Sequence, residues 1–310
     1  MKILITGVAG FIGSNLANHL ISKGHQIIGI DDLSYGLISQ VPSKVDFHKA
    51  NILDKNIYNL FKKVDIVFHF AAKNCISDCQ ADPLTTANTN IVGTINIFEA
   101  SRKFNIKKVI YAESSAIYEG AKTFPTKEID EFPESFYAIS KLTTRFFALA
   151  YKRYSNLNTI GLRYFNVYGP KQDYRRSIPP LMSAIIIKLL NGEKPIIYGS
   201  GEKRRDFIYI DDVNRFHELL INNAKITDGI YNVGYGTNYS VNEINQSIQK
   251  ILKIKIKPDY KKDLPGEAFQ NLADITSAKK LGWSPKIDLK SGLKLSIDYI
   301  RNNVLSSNKD

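Results

Sequence analysis

Cysteine is nearly absent: Cys75 and Cys79 are the only two in 310 residues. That excludes a disulfide framework and points to free thiols of a reducing compartment. Two sulfurs also fall short of the four ligands of a structural zinc site, and no metal is expected. Long apolar runs are missing as well. Nothing reaches the roughly 18 apolar residues of a membrane span, and even Leu181–Ile187 runs into Lys188. Only Ile3-Leu4-Ile5 separates Met1-Lys2 from Thr6-Gly7, too little for the apolar core of a signal peptide. A cytoplasmic protein with no membrane partner is expected. Internal repeats and low-complexity segments are not found either. What is there is ordinary for a globular chain: 44% hydrophobic and 23% charged residues, enough apolar content to offset the entropy of ordering. The length suits one large or two medium domains. The net charge of +12 raises nucleic acid or an anionic ligand as a partner.

Short β-branched runs alternate with amphipathic stretches. Strands are predicted at Lys2–Thr6, Gln26–Ile30, Val45–Asn51, Val64–Phe70, Lys107–Glu113 and Thr159–Tyr164. Several are apolar at nearly every position, as parallel strands covered on both faces must be. Helices are predicted between them at Phe11–Lys23, Leu84–Lys103 and Phe136–Tyr154. The alternation implies right-handed βαβ units and an α/β fold with a doubly wound, Rossmann-type parallel sheet. Past about residue 170 the rhythm changes. A helix (Leu181–Asn191), a strand pair (Pro195–Tyr198 with Arg205–Ile210), a helix from Asp211, another at Val241–Leu252 and two short closing helices predict a smaller α+β domain.

Between the first strand and the first helix lies Thr6-Gly7-Val8-Ala9-Gly10-Phe11-Ile12-Gly13. Gly7 permits the tight turn, Gly10 lets backbone N–H groups approach a pyrophosphate, and Gly13 lets the helix pack close to the sheet. The helix N-terminus then adds partial positive charge beneath the anion. The second strand ends in Asp31-Asp32. A carboxylate there accepts from both ribose hydroxyls of an adenosine and repels a 2′-phosphate, so NAD is expected over NADP. Phe70-Ala71-Ala72, closing the fourth strand, is small enough for the cofactor to lie across it.

Tyr137 and Lys141 stand four apart at the start of the long third helix, on one face of it. Taking a proton from a sugar alcohol needs a base near neutrality. A free phenol, with a pKa of about 10, is mostly protonated at pH 7, and a nearby ammonium favours its ionised form. Two other pairs share the spacing, Tyr58/Lys62 and Tyr118/Lys122. Only Tyr137 opens a long helix directly after the fifth strand, whose end carries Ser114-Ser115, hydroxyls able to bond a reacting oxygen.

Together, Thr6–Gly13, Asp31, Phe70–Ala72, Asn90, Ser114, Tyr137/Lys141 and Leu162–Pro170 resemble the extended short-chain dehydrogenase/reductases, and within them the nucleotide-sugar epimerases. The resemblance runs from residue 1 to about 300 and includes Ile196–Gly199, Arg205–Phe207 and Leu272–Asp274. It implies residues 1–170 as an NAD-binding domain and 171–310 as a nucleotide-sugar domain, with some interleaving of segments. It implies that Tyr137 takes the proton of the sugar 4-hydroxyl while NAD accepts hydride from C4. The 4-keto sugar turns over and receives the hydride on its other face. Ser114 would bond the 4-oxygen, with Ser115 as second candidate. Lys141 would also hold the nicotinamide ribose. Asn51 and Ile52 match positions near adenine, and Asn90 and Tyr164 match cofactor contacts. Asn166 would hold the sugar diphosphate, Ile178, Ile196 and Tyr198 would line the uridine pocket, and Arg205 would pair with the pyrophosphate. A UDP-hexose or UDP-N-acetylhexosamine substrate, a homodimer and a place in carbohydrate metabolism, including polysaccharide biosynthesis, follow from the same resemblance.

The chain departs from that pattern at Leu264 and Phe269, where the family usually has arginine, and at Glu113, where small hydroxyl residues are common. Asn271 matches a gate beside the sugar 2-substituent; being smaller than tyrosine, it favours N-acetylhexosamines. Dehydratases carry Asp-Glu just after Ser114 and decarboxylases a Glu at the second position; here Ser115 and Ala116 stand there. A nucleotide-sugar dehydrogenase or ketoreductase of the same fold is the alternative enzyme, and a non-catalytic binding protein the alternative outside catalysis. The basic excess is spread over both halves, with clusters at Arg175-Arg176, Lys203–Arg205 and Lys250–Lys262. It reads as a solvated surface that partly serves diphosphate ligands, with no nucleic-acid partner.

Overall fold

The computed structural model describes residues 1–175, 179–263 and 268–306. Along the chain run β1 (Lys2–Thr6), α1 (Phe11–Ser22), β2 (Gln26–Asp31), β3 (Asp46–Lys49), β4 (Ile66–His69), α2 (Ile76–Ala81), α3 (Pro83–Ala87), α4 (Gly93–Lys103), β5 (Lys108–Ser114), α5 (Phe136–Ser155), β6 (Thr159–Tyr164) and β7 (Asn166–Tyr168). There follow α6 (Leu181–Leu190), β8 (Ile196–Tyr198), β9 (Arg204–Tyr209), α7 (Ile210–Asn222), β10 (Gly229–Val233), β11 (Asn238–Ser240), α8 (Val241–Leu252), β12 (Asp259–Lys261), α9 (Thr276–Lys280) and α10 (Leu289–Asn303). The chain divides into two compact units. One comprises Met1–Ala121, Glu128–Tyr164 and Asn214–Asn232; the other comprises Lys122–Lys127, Phe165–Val213 and Val233–Asp310. The division is thus not one cut at residue 170.

The first unit is built on a seven-stranded sheet ordered β10-β6-β5-β4-β1-β2-β3. From β6 through β3 every pairing is parallel. β1, β4 and β6 are buried along nearly their whole length, whereas the edge strand β3 has no buried residue. Chain order reverses between β1 and β4, the switch point at which open α/β sheets bind ligands beyond the strand C-termini. Apolar residues such as Leu4, Val67, Phe98, Val109 and Tyr111 form the core beside the sheet.

The predicted helix Leu84–Lys103 is broken. A π-helical turn at Asn88–Val92 separates α3 from α4, the kind of local widening found where a helix must re-aim a side chain.

The second unit holds a three-stranded sheet, β11-β9-β7, and a two-stranded one, β12-β8. The expected pairing of the two strands around 196 and 206 is therefore wrong. β8 pairs in parallel with β12, and β9 pairs with β7 and β11. Asp206 organises this unit. Its buried carboxylate accepts from the N–H groups of Tyr235, Gly236 and Ala273 at 2.7–3.1 Å, and burial pushes its pKa up to about 6. The last helix is not short. α10 has 15 residues, is capped by Asp288, and buries Leu293, Ile297 and Ile300 on one face.

Candidate active site

The glycine loop after β1 is tight for physical reasons. Gly7 has φ +71°, and a Cβ on it would lie 2.7 Å from the nitrogen of Ala71. A Cβ on Gly13 would lie 2.2 Å from the carbonyl oxygen of Gly7. Gly10 is different: a Cβ there meets only one atom, at 3.3 Å. Gly10 also stands at the N-cap of α1 with no side-chain cap and no acidic residue in the first turn. An uncapped helix start with an open glycine face fits a pyrophosphate.

Asp31 closes the loop from the side. One carboxylate oxygen accepts from Ala9 N and the other from Leu33 N, both at 2.9 Å. Burial pushes its pKa up, against the pull of those two bonds. Asp32 is exposed and takes Ser34 and the amide of Asn51. Thr6 Oγ1 accepts from Ala71 N at 3.2 Å, setting Phe70–Ala72 against the loop. These groups fit the adenosine diphosphate half of NAD, and two carboxylates side by side disfavour a 2′-phosphate. Gly36 was not foreseen. It packs so closely on Ala9 that a Cβ would sit 2.7 Å from that residue's Cβ.

Three predicted cofactor residues have internal partners. Ile52 lies in the core, its carbonyl accepting from Asn96, so its side chain serves packing. Asn90 is buried in the π turn. Its amide bonds both backbone groups of Lys73 and the hydroxyl of Ser140, at 2.8–3.0 Å. It ties the segment after β4 to α5, a strut rather than an open contact. The Tyr164 hydroxyl meets His217 Nε2 at 2.6 Å, within an aromatic cluster that includes Phe70. In each case the side chain has a partner within the protein.

The proton-transfer group sits where β5 ends and α5 begins. Ser135 caps α5 by accepting from Ala138 N at 3.1 Å. Glu119 clamps the cap, accepting from Ser135 N at 2.7 Å and from its hydroxyl at 2.8 Å. Nothing local in the sequence marks Glu119 for this. The clamp puts Tyr137 in the first helical turn and Lys141 one turn on. Lys141 Nζ donates to Ala112 O at 3.0 Å, two residues before Ser114 on β5. That bond joins the ammonium to the strand that carries the serine. Burial pushes the Lys141 pKa down to about 8, with Glu113 opposing. His69 bonds Thr6 and Thr94 with its two ring nitrogens, and burial and the Lys141 charge push it down to about 3. It is a neutral core histidine, not a competing base. Ser114 Oγ accepts from Ala116 N at 3.1 Å, which orients its hydroxyl; Ser115 opens the short helical turn that follows.

A pH dependence follows. If the Lys141 ammonium supports the phenolate, kcat/KM falls as pH rises through about 8, because the charge is lost there. A flat profile from pH 7 to 9.5 would contradict this assignment of Lys141.

The second unit contains a cavity of about 650 Å³, within the range of small-molecule sites. Of the predicted substrate residues, Asn166, Ile196, Tyr198 and Arg205 line it. Ile178 and Leu264 lie outside the described residues. Asn271 is not among the lining residues. Its side-chain oxygen accepts from Asp206 N at 2.8 Å and from the Asn166 amide at 3.3 Å. Phe269 is mostly exposed, and its carbonyl accepts from Arg204 N and the Arg205 guanidinium. Tyr174, Leu181, Ile187 and Val241 add apolar wall, and Lys188 and Lys203 add to the positive charge of Arg205. Sequence reading placed Lys203 only in a charge cluster.

A dinucleotide cradle at a sheet switch point, with a Tyr/Lys pair tied to a strand-end serine, defines a dehydrogenase-type α/β enzyme fold. The family profile described as NAD dependent epimerase/dehydratase matches residues 3–234. The chain belongs to that family. It is 31% identical to the UDP-glucose 4-epimerase of Mycolicibacterium smegmatis, over 97% of this chain and 99% of that protein. Among solved structures it resembles the UDP-glucose 4-epimerase of Thermotoga maritima with UDP-glucose: TM-score 0.93, 35% identity, 98% of this chain and 100% of that one. It also resembles the UDP-N-acetylglucosamine 4-epimerase of Methanobrevibacter ruminantium M1 in complex with UDP-N-acetylmuramic acid: TM-score 0.92, 30% identity, 98% of this chain and 99% of that one.

Proposed function

We propose that this protein is an NAD-dependent epimerase that inverts C4 of a UDP-sugar through a 4-keto intermediate. The observation that carries the reading is the bond from Lys141 on α5 to the β5 strand end bearing Ser114, with Tyr137 one turn before. When bound at the first unit's cradle, NAD supplies a reversible acceptor for hydride. Gly7, Gly10, Phe11, Ile12 and Gly13 shape the phosphate site, Asp31 and Asp32 meet the ribose, Asn51 borders the adenine, and Phe70–Ala72 form the floor. Tyr137 takes the 4-hydroxyl proton and later returns it. The positive charge of Lys141 favours the phenolate. Ser114 donates to the sugar 4-oxygen, with Ser115 beside it. The second unit's cavity takes the nucleotide, with Asn166 and Arg205 toward the diphosphate and Ile196 and Tyr198 toward the uridine. No carboxylate stands at 115 or 116 to drive elimination or decarboxylation. Purified protein should turn UDP-glucose into its 4-epimer with no lasting absorbance at 340 nm. Stoichiometric accumulation of reduced cofactor would instead mark a dehydrogenase.

Because Asn271 is smaller than tyrosine, the proposed scope includes UDP-N-acetylhexosamines, with turnover of UDP-N-acetylglucosamine exceeding that of UDP-glucose. Equal or faster reaction of UDP-glucose counts against it. The reading extends to a cytoplasmic homodimer that supplies activated sugars for polysaccharide biosynthesis. The dimer rests on α5, where Ile139, Phe146 and Leu149 are 45%, 58% and 54% exposed at the spacing of one helical seam. Tyr151 is not part of that seam; its ring packs on Phe98 and its hydroxyl bonds Glu99. Phe146→Glu should convert the dimer to monomer in light scattering. An unchanged mass for the variant, or a monomeric parent, contradicts the interface.

A further inference from the structure

The cavity of the second unit carries more positive charge than one arginine supplies, and two of its cations, Lys188 and Lys203, are each held by an acid. Lys203 lines the cavity, as Arg205 does. Its side chain is only 14% exposed, so its stem packs along the wall while the ammonium meets its acid where solvent reaches the pair. Nζ lies 2.6 Å from Oδ1 of Asp263. Asp263 itself is 51% exposed and sits against Gly199, where a Cβ would come 3.1 Å from the carboxyl carbon. Gly199 has φ +70° and begins the turn between β8 and β9, the two strands that bring Tyr198 and Arg205 to the cavity wall. The pair is therefore anchored on the cavity's own frame.

Resting on the UDP-sugar reading above, we infer that Lys203 is a diphosphate-binding residue and that Asp263 holds its ammonium in place until the diphosphate displaces it. Three facts favour exchange over a permanent ion pair. The acid is half in solvent, where a single carboxylate is a weak partner. A doubly charged diphosphate offers the ammonium stronger charge-assisted bonds than one carboxylate does. Lys261 does not compete for the role: it is exposed, pairs with Asp259 at 2.9 Å and is not among the cavity's lining residues. Asp263 thus acts as a placeholder anion, costing some affinity while holding the ammonium at the cavity wall in the free protein.

Calorimetric titration of the intact protein with UDP and with uridine tests this. Lys203→Gln should weaken UDP about tenfold and leave uridine within about twofold. Lys203→Arg should recover most of the UDP affinity. Asp263→Asn should strengthen UDP several-fold, but not when combined with Lys203→Gln. Lys261→Gln should leave UDP within about twofold, with thermal melting of each variant confirming an intact fold. Unchanged UDP binding by Lys203→Gln, or equal weakening of UDP and uridine, overturns the assignment of Lys203 while leaving the cavity as the nucleotide site. Failure of the parent protein to bind UDP overturns the UDP-sugar reading and this inference with it.

Discussion

Tyr137→Phe lowers kcat by about 10²–10⁴-fold, the span that a positioned general acid–base contributes, with little change in the affinity for UDP. The size follows from how the residue is held. Ser135 and Glu119 fix the first turn of α5, so the variant keeps the ring in place and removes only the group that moves the proton. The buried histidine His69 does not stand in. It is neutral, pushed to about 3 by burial and the neighbouring Lys141 charge, and both its nitrogens are engaged. Steady-state rates with UDP-glucose check this, and a loss below tenfold would remove Tyr137 from the chemistry.

Arg163→Met destabilises the first unit by about 3–5 kcal/mol, the usual cost of stranding one member of a buried ion pair. Arg163 and Glu113 are both fully buried, and Nε donates to the carboxylate at 2.7 Å. The guanidinium also donates to the Tyr118 hydroxyl at 2.9 Å and to the Glu128 carbonyl at 2.6 Å, and it pairs with Glu131. Tyr111 donates to Glu113 at 3.0 Å. Burial pushes the Glu113 pKa up while Arg163 pulls it back. With the arginine gone, the carboxylate must stay charged without a partner or take a proton. The double variant Glu113→Gln/Arg163→Met should therefore lose less than the two single losses combined. Urea unfolding checks both, and a single-variant loss under about 1 kcal/mol would mean that the pair is solvated or replaced.

What could be read from the sequence was what is local. The glycine loop, Asp31 and the Tyr137/Lys141 spacing lie on single turns or strand ends, so residue type and spacing carry their meaning. β1, β4 and the middles of β2, β5 and β6 were legible because both faces of the sheet are covered there and the runs are mostly apolar. β10 was not, since Gly229–Val233 is short and contains Asn232, whose amide oxygen serves the Tyr118 hydroxyl. β12 was not legible either, because Asp259–Lys261 is wholly exposed and carries no apolar pattern. Glu113 stood out only as an odd residue type. Its reason is Arg163, fifty positions away, and no spacing rule links the two. Glu119, Asn90 and Lys203 have the same character: each acts on a partner that only the fold brings near.

The central claim is that C4 is oxidised and reduced within one binding event. UDP-glucose deuterated at C4, turned over by the purified protein in ordinary water and followed by NMR, tests it most directly. The account predicts UDP-galactose that retains deuterium at C4, with no net change in cofactor oxidation state. Loss of the label to solvent, or product that appears only with added reductant, would contradict it.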